Sequence, residues 1–314
     1  MSGIILEGEG VIKRSPTQEK KLQRFFKKYG WGYAFILPSV LVFAIFTLIP
    51  AVWALLISFQ HYNFVWDGQW VGFKNYVNAF TFGDGVFGQA IKNTLYYTVI
   101  TVTANILIAL VLAGLLQRCN KFWRTFFLAA YYLPAVTSAV IIAISWRWIY
   151  NSEFGLLNYV IGLLHIGAVR WLSDPNIVLN SIVLSTVLTV PATGVVLFNA
   201  AMGGIPTELY EAAKIDGASY IRQWWKITLP LIKPTTLYLA VLYTIYSFQV
   251  FDKVFVMVPT GVSDNAQFIV TQIFQNGFES FYYGIAAAQA FILFLMIASV
   301  AFVQFRLLRS DVEY

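Results

Sequence analysis

Six long apolar runs constrain the fold of this 314-residue chain more than any other feature of its sequence. A helix needs roughly 20 apolar residues to cross the hydrocarbon core of a bilayer, and each run reaches that length. The runs cover residues 31–59, 94–116, 126–149, 177–202, 235–258 and 283–305. We therefore predict an all-α integral membrane protein with six transmembrane helices, since helices satisfy their own backbone groups inside lipid.

The amino-acid composition excludes several other classes of protein. Hydrophobic residues make up 59% of the chain and charged residues 11%, whereas about a quarter of an ordinary soluble domain is charged. So few charges cannot cover a soluble surface, which excludes a cytosolic enzyme, a disordered chain and a disulfide scaffold. One cysteine and two distant histidines offer no ligand cluster, so we predict no metal site and no catalytic residue.

Positive charge is distributed unevenly between the two sides of the predicted helix bundle. Most of the 21 basic residues lie in the N-terminal segment, in the connections 117–125 and 203–234, and after residue 305. Basic residues concentrate on the cytoplasmic side of membrane proteins, so we expect both termini in the cytoplasm. We divide the chain into a cytoplasmic basic N-terminal segment, 1–30, and a transmembrane domain, 31–314. The basic stretch within 1–30 predicts an anchor on the cytoplasmic leaflet, with a regulatory partner helix as the alternative.

The fourth connection, 203–234, is too long and too patterned for a simple turn. Thr207 is a plausible N-cap for a short helix with Glu208 in its first turn. Gly217 can adopt positive φ and end that helix. A second short helix follows, and Pro230 is expected to end it because the residue before proline avoids the α region. The tract predicts a cytoplasmic helix-turn-helix elbow, and an element that only holds the bundle together is the alternative.

The spacing in this elbow also resembles a known motif. Glu211-Ala212-Ala213, followed by Gly217 and then by Leu229-Pro230, is similar to the EAA loop of binding-protein-dependent ABC importer permeases of the carbohydrate type. The resemblance extends over nearly the whole chain. Further segments similar to that family are Pro50 with Ser58-Phe59, the strand-like Val71-Gly72-Phe73-Lys74-Asn75-Tyr76, Asn93-Thr94, and Gly284 with Ala286-Ala287-Ala288.

The resemblance implies that the elbow docks on a cytoplasmic ATPase and carries its movement into the membrane helices. The residues implied in this coupling are Glu211, Ala212, Ala213, Asp216, Gly217, Leu229 and Pro230. The sequence contains no GxxxxGK[ST] phosphate loop. We therefore expect a non-catalytic permease subunit that binds no cofactor itself, with ATP and Mg on the separate ATPase.

The resemblance also implies partners and a location. The expected partners are a second homologous permease, an ABC ATPase dimer, an extracytoplasmic solute-binding protein and the lipid bilayer, but no nucleic acid. The expected location is the bacterial plasma (inner) membrane, which the chain crosses several times.

Polar side chains inside the predicted helices are candidates for a solute path. Tyr243, Tyr246 and Gln249 recur every third residue in the fifth run, and Thr189 and Thr193 lie four apart in the fourth. Hydrogen bonding between helices is the alternative role for such residues.

The positions of charged residues help to predict whether the cargo is charged. We expect the neighbouring Asp252 and Lys253 to lie at the outer membrane interface. The absence of an evident basic residue at the membrane centre favours a neutral cargo.

We therefore predict an ATP-driven importer subunit for a sugar, with an oligosaccharide as the favoured cargo and alternating access as the mechanism. A permease for glycerol 3-phosphate or a polyol is the alternative within the family. A stand-alone secondary carrier is the alternative of another class, although it should show buried carboxylates and an internal repeat.

Overall fold

A computed structural model of the chain describes residues 16–62, 68–81, 85–258 and 264–308. Residues 1–15 of the predicted N-terminal segment therefore lie outside the described residues, as does the end of the chain after residue 308. The structure forms two compact units, Met1–Leu56 and Ile57–Tyr314.

The described part of the first unit is one long helical segment. Helix α1 covers Pro16–Phe43, a five-residue π-helical segment covers Ala44–Leu48, and α2 covers Ile49–Ser58, so that α2 ends in the second unit. The π segment precedes Pro50 and closes with a bond from the Ile49 N–H to the Ala44 carbonyl. A proline ring clashes with the carbonyl four residues earlier in a regular α-helix, and the wider π turn relieves that contact.

The second unit begins with a short antiparallel hairpin that pairs β1, Gln60–His61, with β2, Gln69–Trp70. The chain then continues as helices. Up to the fourth connection these are α3 Lys74–Thr81, α4 Val86–Leu116, α5 Lys121–Tyr132, α6 Ala139–Ile149, α7 Leu156–Gly162, α8 Val178–Val187 and α9 Ala192–Gly203. From there they are α10 Thr207–Ile215, α11 Tyr220–Gln223, α12 Leu229–Leu231, α13 Lys233–Phe248, α14 Asp252–Met257, α15 Ile269–Phe274 and α16 Tyr283–Leu308.

The described residues confirm a mainly helical membrane protein but not the full number of spans. Four segments are long and apolar enough to cross a bilayer by themselves: Tyr29–Ser58, Val86–Leu116, Val178–Gly203 and Tyr283–Leu307. The third predicted run is instead a pair of helical segments, Lys121–Val136 and Ala139–Ile149, bent by 95°. Counting this pair gives five spans.

The fifth predicted run is also broken. Gln249, Val250 and Phe251 separate α13 from α14, so neither piece is long enough to count as a span alone. A sixth span therefore stays a prediction.

The inner core of the second unit lies where α4, α9 and α13 pack together. Its fully buried residues include Ala109 and Ala113 of α4, Val195 and Phe198 of α9, and Leu239 of α13. Small residues on α4 let the neighbouring backbones approach closely, as is usual between membrane helices.

Three of the short segments that suggested the family resemblance meet around the hairpin. The amide of Asn75 donates hydrogen bonds to the carbonyls of Ser58 (2.9 Å) and Gln60 (2.7 Å). Gly284 lies against the same Gln60 carbonyl and leaves no room for a Cβ. The strand-like interpretation of 71–76 is wrong in detail: the strand is Gln69–Trp70, and Lys74 already begins α3, whose first turn directs Asn75 inward.

Candidate coupling elbow and solute path

The first arm of the elbow is α10, Thr207–Ile215. Its N-cap residue is Pro206 (φ −56°, ψ 132°), and no side chain caps the helix. The predicted N-cap at Thr207 is therefore wrong, because the fixed φ of proline already turns the chain and Thr207 enters the helix. Glu208 lies in the first turn and Lys214 in the last, where each charge complements the helix dipole.

The corner of the elbow has the geometry of a Schellman motif. The Gly217 N–H donates to the Lys214 carbonyl (3.0 Å), and the Ala218 N–H donates to the Ala213 carbonyl (2.8 Å). Gly217 has φ +75°, so the prediction that it ends α10 in the left-handed region is confirmed. A Cβ on Gly217 would meet no atom within 4 Å. The requirement for glycine is therefore one of backbone conformation and not of space.

The second arm is longer than the sequence predicts. Ser219 caps α11 by accepting a hydrogen bond from the Arg222 N–H (3.4 Å). A π-helical segment, Trp224–Thr228, then leads into α12, which contains Pro230. The expectation that Pro230 ends the helix is wrong, because the π turn accommodates its ring as the earlier π turn accommodates Pro50.

Hydrogen bonds and packing hold the elbow as one element. The hydroxyl groups of Tyr210 and Thr228 are 2.9 Å apart and connect the two arms. The Gln223 amide donates to the carbonyl of Ala218 at the corner (2.9 Å). Ile205 and Ile232, at the two ends of the tract, are buried in the inner core. The elbow is thus fixed to the membrane helices at its base.

The structure separates the predicted coupling residues into a tip and a base. Four tip residues are exposed, and Ala213 is half-buried. The exposed ones are Glu211, Ala212, Asp216 and Gly217. Leu229 and Pro230 lie at the base, where Leu229 packs against the inner core.

Contacts between the second arm and α4 were not predicted from the sequence. The Trp224 ring covers Gly114, where a Cβ would lie 2.6 Å from the ring carbon Cη2. The Arg118 guanidinium lies 3.9 Å from the centre of the Tyr220 ring, within the range of a cation–π contact. In the sequence these aromatic and basic residues stand alone at helix ends, so nothing local indicated that they form these pairs.

The predicted path residues on the fourth run differ in environment. The Thr189 hydroxyl donates to the Ser185 carbonyl (2.7 Å) and accepts from the Trp146 indole N–H (3.0 Å). Thr193, on the first turn of α9, is exposed. Thr189 therefore connects helices in this structure, while Thr193 is open to a partner or a solute.

The predicted path residues in the fifth run also differ from one another in exposure. Tyr243 is half-buried, and its hydroxyl lies against Gly194 of α9. Tyr246 is 63% exposed, and Gln249 is exposed at the end of α13. The structure therefore brings Tyr243 next to the α9 backbone and leaves Tyr246 and Gln249 open.

Lys253 and Asp252 lie in different surroundings. The Lys253 side chain is half-buried, and its ammonium donates to the Thr186 hydroxyl (2.9 Å), while the neighbouring Asp252 is exposed. The expected place of both residues at the outer membrane interface stays a prediction, since it concerns their depth in the bilayer. The short helix α14 starts after a break in the chain and directs residue 253 toward α8.

The segment between α6 and α8 contains a further polar centre that the sequence did not reveal. Asn158 is buried, its amide N–H group donates to the Val169 carbonyl (3.0 Å), and its side-chain oxygen accepts from the Val169 N–H (3.1 Å) and the Trp171 indole (2.8 Å). One side chain thus organises the segment between α6 and α8.

Comparisons with known proteins agree with this geometry. The family model for the inner membrane component of binding-protein-dependent transport systems matches residues 105–310. The arabinooligosaccharides transport system permease protein AraP of Bacillus subtilis is 30% identical over 305 residues, covering 95% of this chain and 96% of the relative. The sn-glycerol-3-phosphate transport system permease protein UgpA of Pectobacterium atrosepticum is 27% identical over 296 residues, covering 92% and 97%.

A solved structure shares the fold. It is a chain of a bacterial alginate ABC transporter in complex with an alginate pentasaccharide-bound periplasmic protein. The TM-score is 0.81 at 24% identity, over 92% of this chain and 97% of that chain.

The fold and the elbow define a membrane-embedded transport permease. The chain belongs to the family of binding-protein-dependent transport system inner membrane components, the permease subunits of ABC importers. This membership removes the alternative of a stand-alone secondary carrier.

Proposed function

We propose that this chain is one of two permease subunits of an ATP-driven importer for a sugar, with an oligosaccharide as cargo. The observation that carries the coupling part of the proposal is the elbow. It presents an exposed tip around Gly217, and it is fixed to the inner core through Ile205 and Ile232. A force applied at such a tip is transmitted directly to α9 and α13.

The proposal assigns roles to the two parts of the elbow. The tip residues Glu211, Ala212, Ala213, Asp216 and Gly217 contact the ATPase. Leu229 and Pro230 transmit the movement, since they join the second arm to the core. ATP and Mg are bound by the ATPase, and this chain has no catalytic role.

The topology follows from the distribution of basic residues. With six crossings, residues 1–30 and the elbow at 203–234 both lie in the cytoplasm, and so does the C-terminus. The membrane domain, 31–314, is then placed in the bacterial inner membrane. Its outer loops face the solute-binding protein, and the segment organised by Asn158 is one such docking surface.

The solute path requires a second permease. Thr193, Tyr246 and Gln249 are open in this single chain, as expected for residues that line a cavity between two subunits. Thr189 and Tyr243 support that wall from behind. In alternating access, closure of the ATPase dimer swings the elbow and opens the cavity outward, and hydrolysis resets it inward.

The cargo class rests on the relatives. The arabinooligosaccharide permease AraP supports an oligosaccharide. The glycerol 3-phosphate permease UgpA supports the alternative of glycerol 3-phosphate or a polyol, and the inward-directed Lys253 favours keeping that alternative.

The test is purification of the chain from its native membrane in a mild detergent, followed by mass spectrometry and reconstitution. We expect a second permease and an ATPase with a phosphate-binding loop to accompany it. We also expect the reconstituted complex to take up labelled oligosaccharide when ATP and the binding protein are present. A chain that is isolated reproducibly alone, also after crosslinking in the membrane, would contradict the proposal.

A further inference from the structure

Lys253 is a cation inside a mainly apolar region of the membrane domain. Its neighbour Val254 belongs to a buried cluster that also contains Val178 and Ile182 of α8 and Phe268. Its ammonium reaches Thr186, which lies on α8 one turn beyond Ile182. An ionised side chain in such surroundings is costly unless its charge is compensated.

The described residues compensate this charge only in part. An ammonium has three N–H donors, and one of them bonds to the Thr186 hydroxyl at 2.9 Å. Among the residues that the structure describes, Thr186 is the only hydrogen-bond partner of Lys253 and no carboxylate lies within 4.0 Å of its nitrogen. The carboxylate of the neighbouring Asp252 is exposed and is not among these partners.

The Thr186 hydroxyl is itself fully engaged. It lies 3.2 Å from the Ile182 carbonyl and 3.0 Å from the Tyr97 hydroxyl, in addition to the ammonium. The Tyr97–Thr186 pair therefore holds the lysine head in place but supplies no negative charge. Two of the ammonium donors remain available to a group from outside the described residues.

We propose that Lys253 is a specificity-determining residue that binds an oxyanion of the cargo, either the carboxylate of a uronic acid or a phosphate ester. The inference rests on the proposed function, since it concerns the same solute path. Lys253 follows the open residue Gln249 by four positions, and its partner Thr186 precedes Thr189 by three, so the proposal sets the ammonium next to the wall of that path. The proposal sets aside the expectation of a neutral cargo, which depended on the absence of an evident basic residue at the membrane centre.

The experiment uses the complex of this chain with its partner permease and ATPase in lipid nanodiscs, without the binding protein. Calorimetry measures the binding of two matched pairs and one neutral reference. The pairs are cellobiouronic acid with its methyl ester and glycerol 3-phosphate with glycerol, and the reference is maltotriose. Each pair differs mainly in the charged group, and the two pairs distinguish a carboxylate from a phosphate.

Three variants are compared with the unaltered complex. Lys253→Met keeps the length of the side chain and removes the charge, Lys253→Arg keeps the charge, and Lys74→Met removes an exposed lysine from α3 as the control. Co-purification of the ATPase with each variant verifies that the complex has assembled.

We expect one anionic probe to bind at least about tenfold more tightly than the neutral compound paired with it. A hydrogen bond to a charged group contributes enough free energy for such a difference. Lys253→Met should abolish this preference, while Lys253→Arg and Lys74→Met should retain it. If the two members of each pair bind equally and maltotriose also binds, the inference is overturned, while the proposed sugar importer is retained. An anion preference that survives Lys253→Met would overturn it as well. A complex that binds none of the five probes would overturn the proposed sugar cargo and this inference together.

Discussion

The hydroxyl groups of Tyr210 and Thr228 lie 2.9 Å apart and join the two arms of the elbow. Tyr210 is on the arm that leads to the tip, and Thr228 ends the π segment of the arm that returns to the membrane. Any tilt of the first arm therefore moves the second arm with it. This pair connects the two arms through their side chains, in addition to the attachment of the elbow to the inner core at Ile205 and Ile232.

Removing the hydrogen bond between the two arms should reduce the coupling of ATP hydrolysis to transport more than it reduces the stability of the fold. Tyr210→Phe or Thr228→Val removes one hydrogen bond, worth about 1 kcal/mol. We expect each variant to assemble normally, with a small loss of thermal stability, and to transport less solute for each ATP hydrolysed. Tyr238→Phe, at an exposed position on α13, is the matched control. The account of the elbow is wrong if the double variant transports with unaltered stoichiometry.

Gly217 should tolerate asparagine better than other side chains. At φ +75° a branched residue is strained by about 1–2 kcal/mol, while asparagine visits this region more readily. We expect uptake to decrease in the order Gly, Asn, Asp, Val, with membrane insertion unchanged, because a Cβ meets no neighbouring atom there. Gly88→Ala serves as the control, since Gly88 has equal space and an ordinary φ. Wild-type uptake by Gly217→Val would remove Gly217 from the coupling residues.

Gly194 should not accept even alanine. A Cβ at this position would collide with the Tyr243 hydroxyl and lie 2.8 Å from the Ala109 Cβ. Overpacking of this kind costs about 1–3 kcal/mol, so Gly194→Ala should lower the melting temperature of the purified complex. Adding Tyr243→Phe removes the hydroxyl and should restore part of the loss. If the second change brings no recovery, the close approach of α9 and α13 is described incorrectly.

Asn158 should decide whether the segment 150–176 keeps its shape. Asn158→Leu removes the bonds to Val169 and Trp171 and leaves their half-buried polar groups without these partners, at up to about 1–3 kcal/mol for each group. We expect faster proteolysis of this segment and weaker stimulation of the ATPase by the binding protein, while binding-protein-independent ATP hydrolysis stays constant. Asn176→Leu, at an exposed position, is the control. Unchanged proteolysis would show that the loop is held by other contacts.

Local sequence signals predicted the first arm of the elbow and its corner. A run of good helix formers and a glycine three residues after lysine give α10 and its cap at Gly217. Local rules failed at Pro230, which follows a π turn and does not end the helix. An extra residue per turn leaves no trace in composition, so a proline that continues a helix and one that ends it look the same.

Contacts between residues far apart in the chain could not be predicted from the sequence, for a different reason. Lys253 lies next to an acidic residue and near the end of an apolar run, which is typical of an interface position. Only the break before α14 and the packing on α8 reveal that it reaches Thr186. Likewise, nothing local to Asn75 or Gly284 indicates that both contact the carbonyl of Gln60.

The central claim is that the tip of the elbow contacts an ATPase, and crosslinking in the membrane tests it most directly. A photoreactive residue replaces Ala212 at the tip, and a second variant carries it at Phe154 in the external loop, both exposed positions. After illumination of native membranes, mass spectrometry identifies the crosslinked chain. The account predicts that position 212 captures a protein with a phosphate-binding loop and that position 154 does not. Capture of that ATPase from position 154 alone, or no protein captured from position 212, would contradict it.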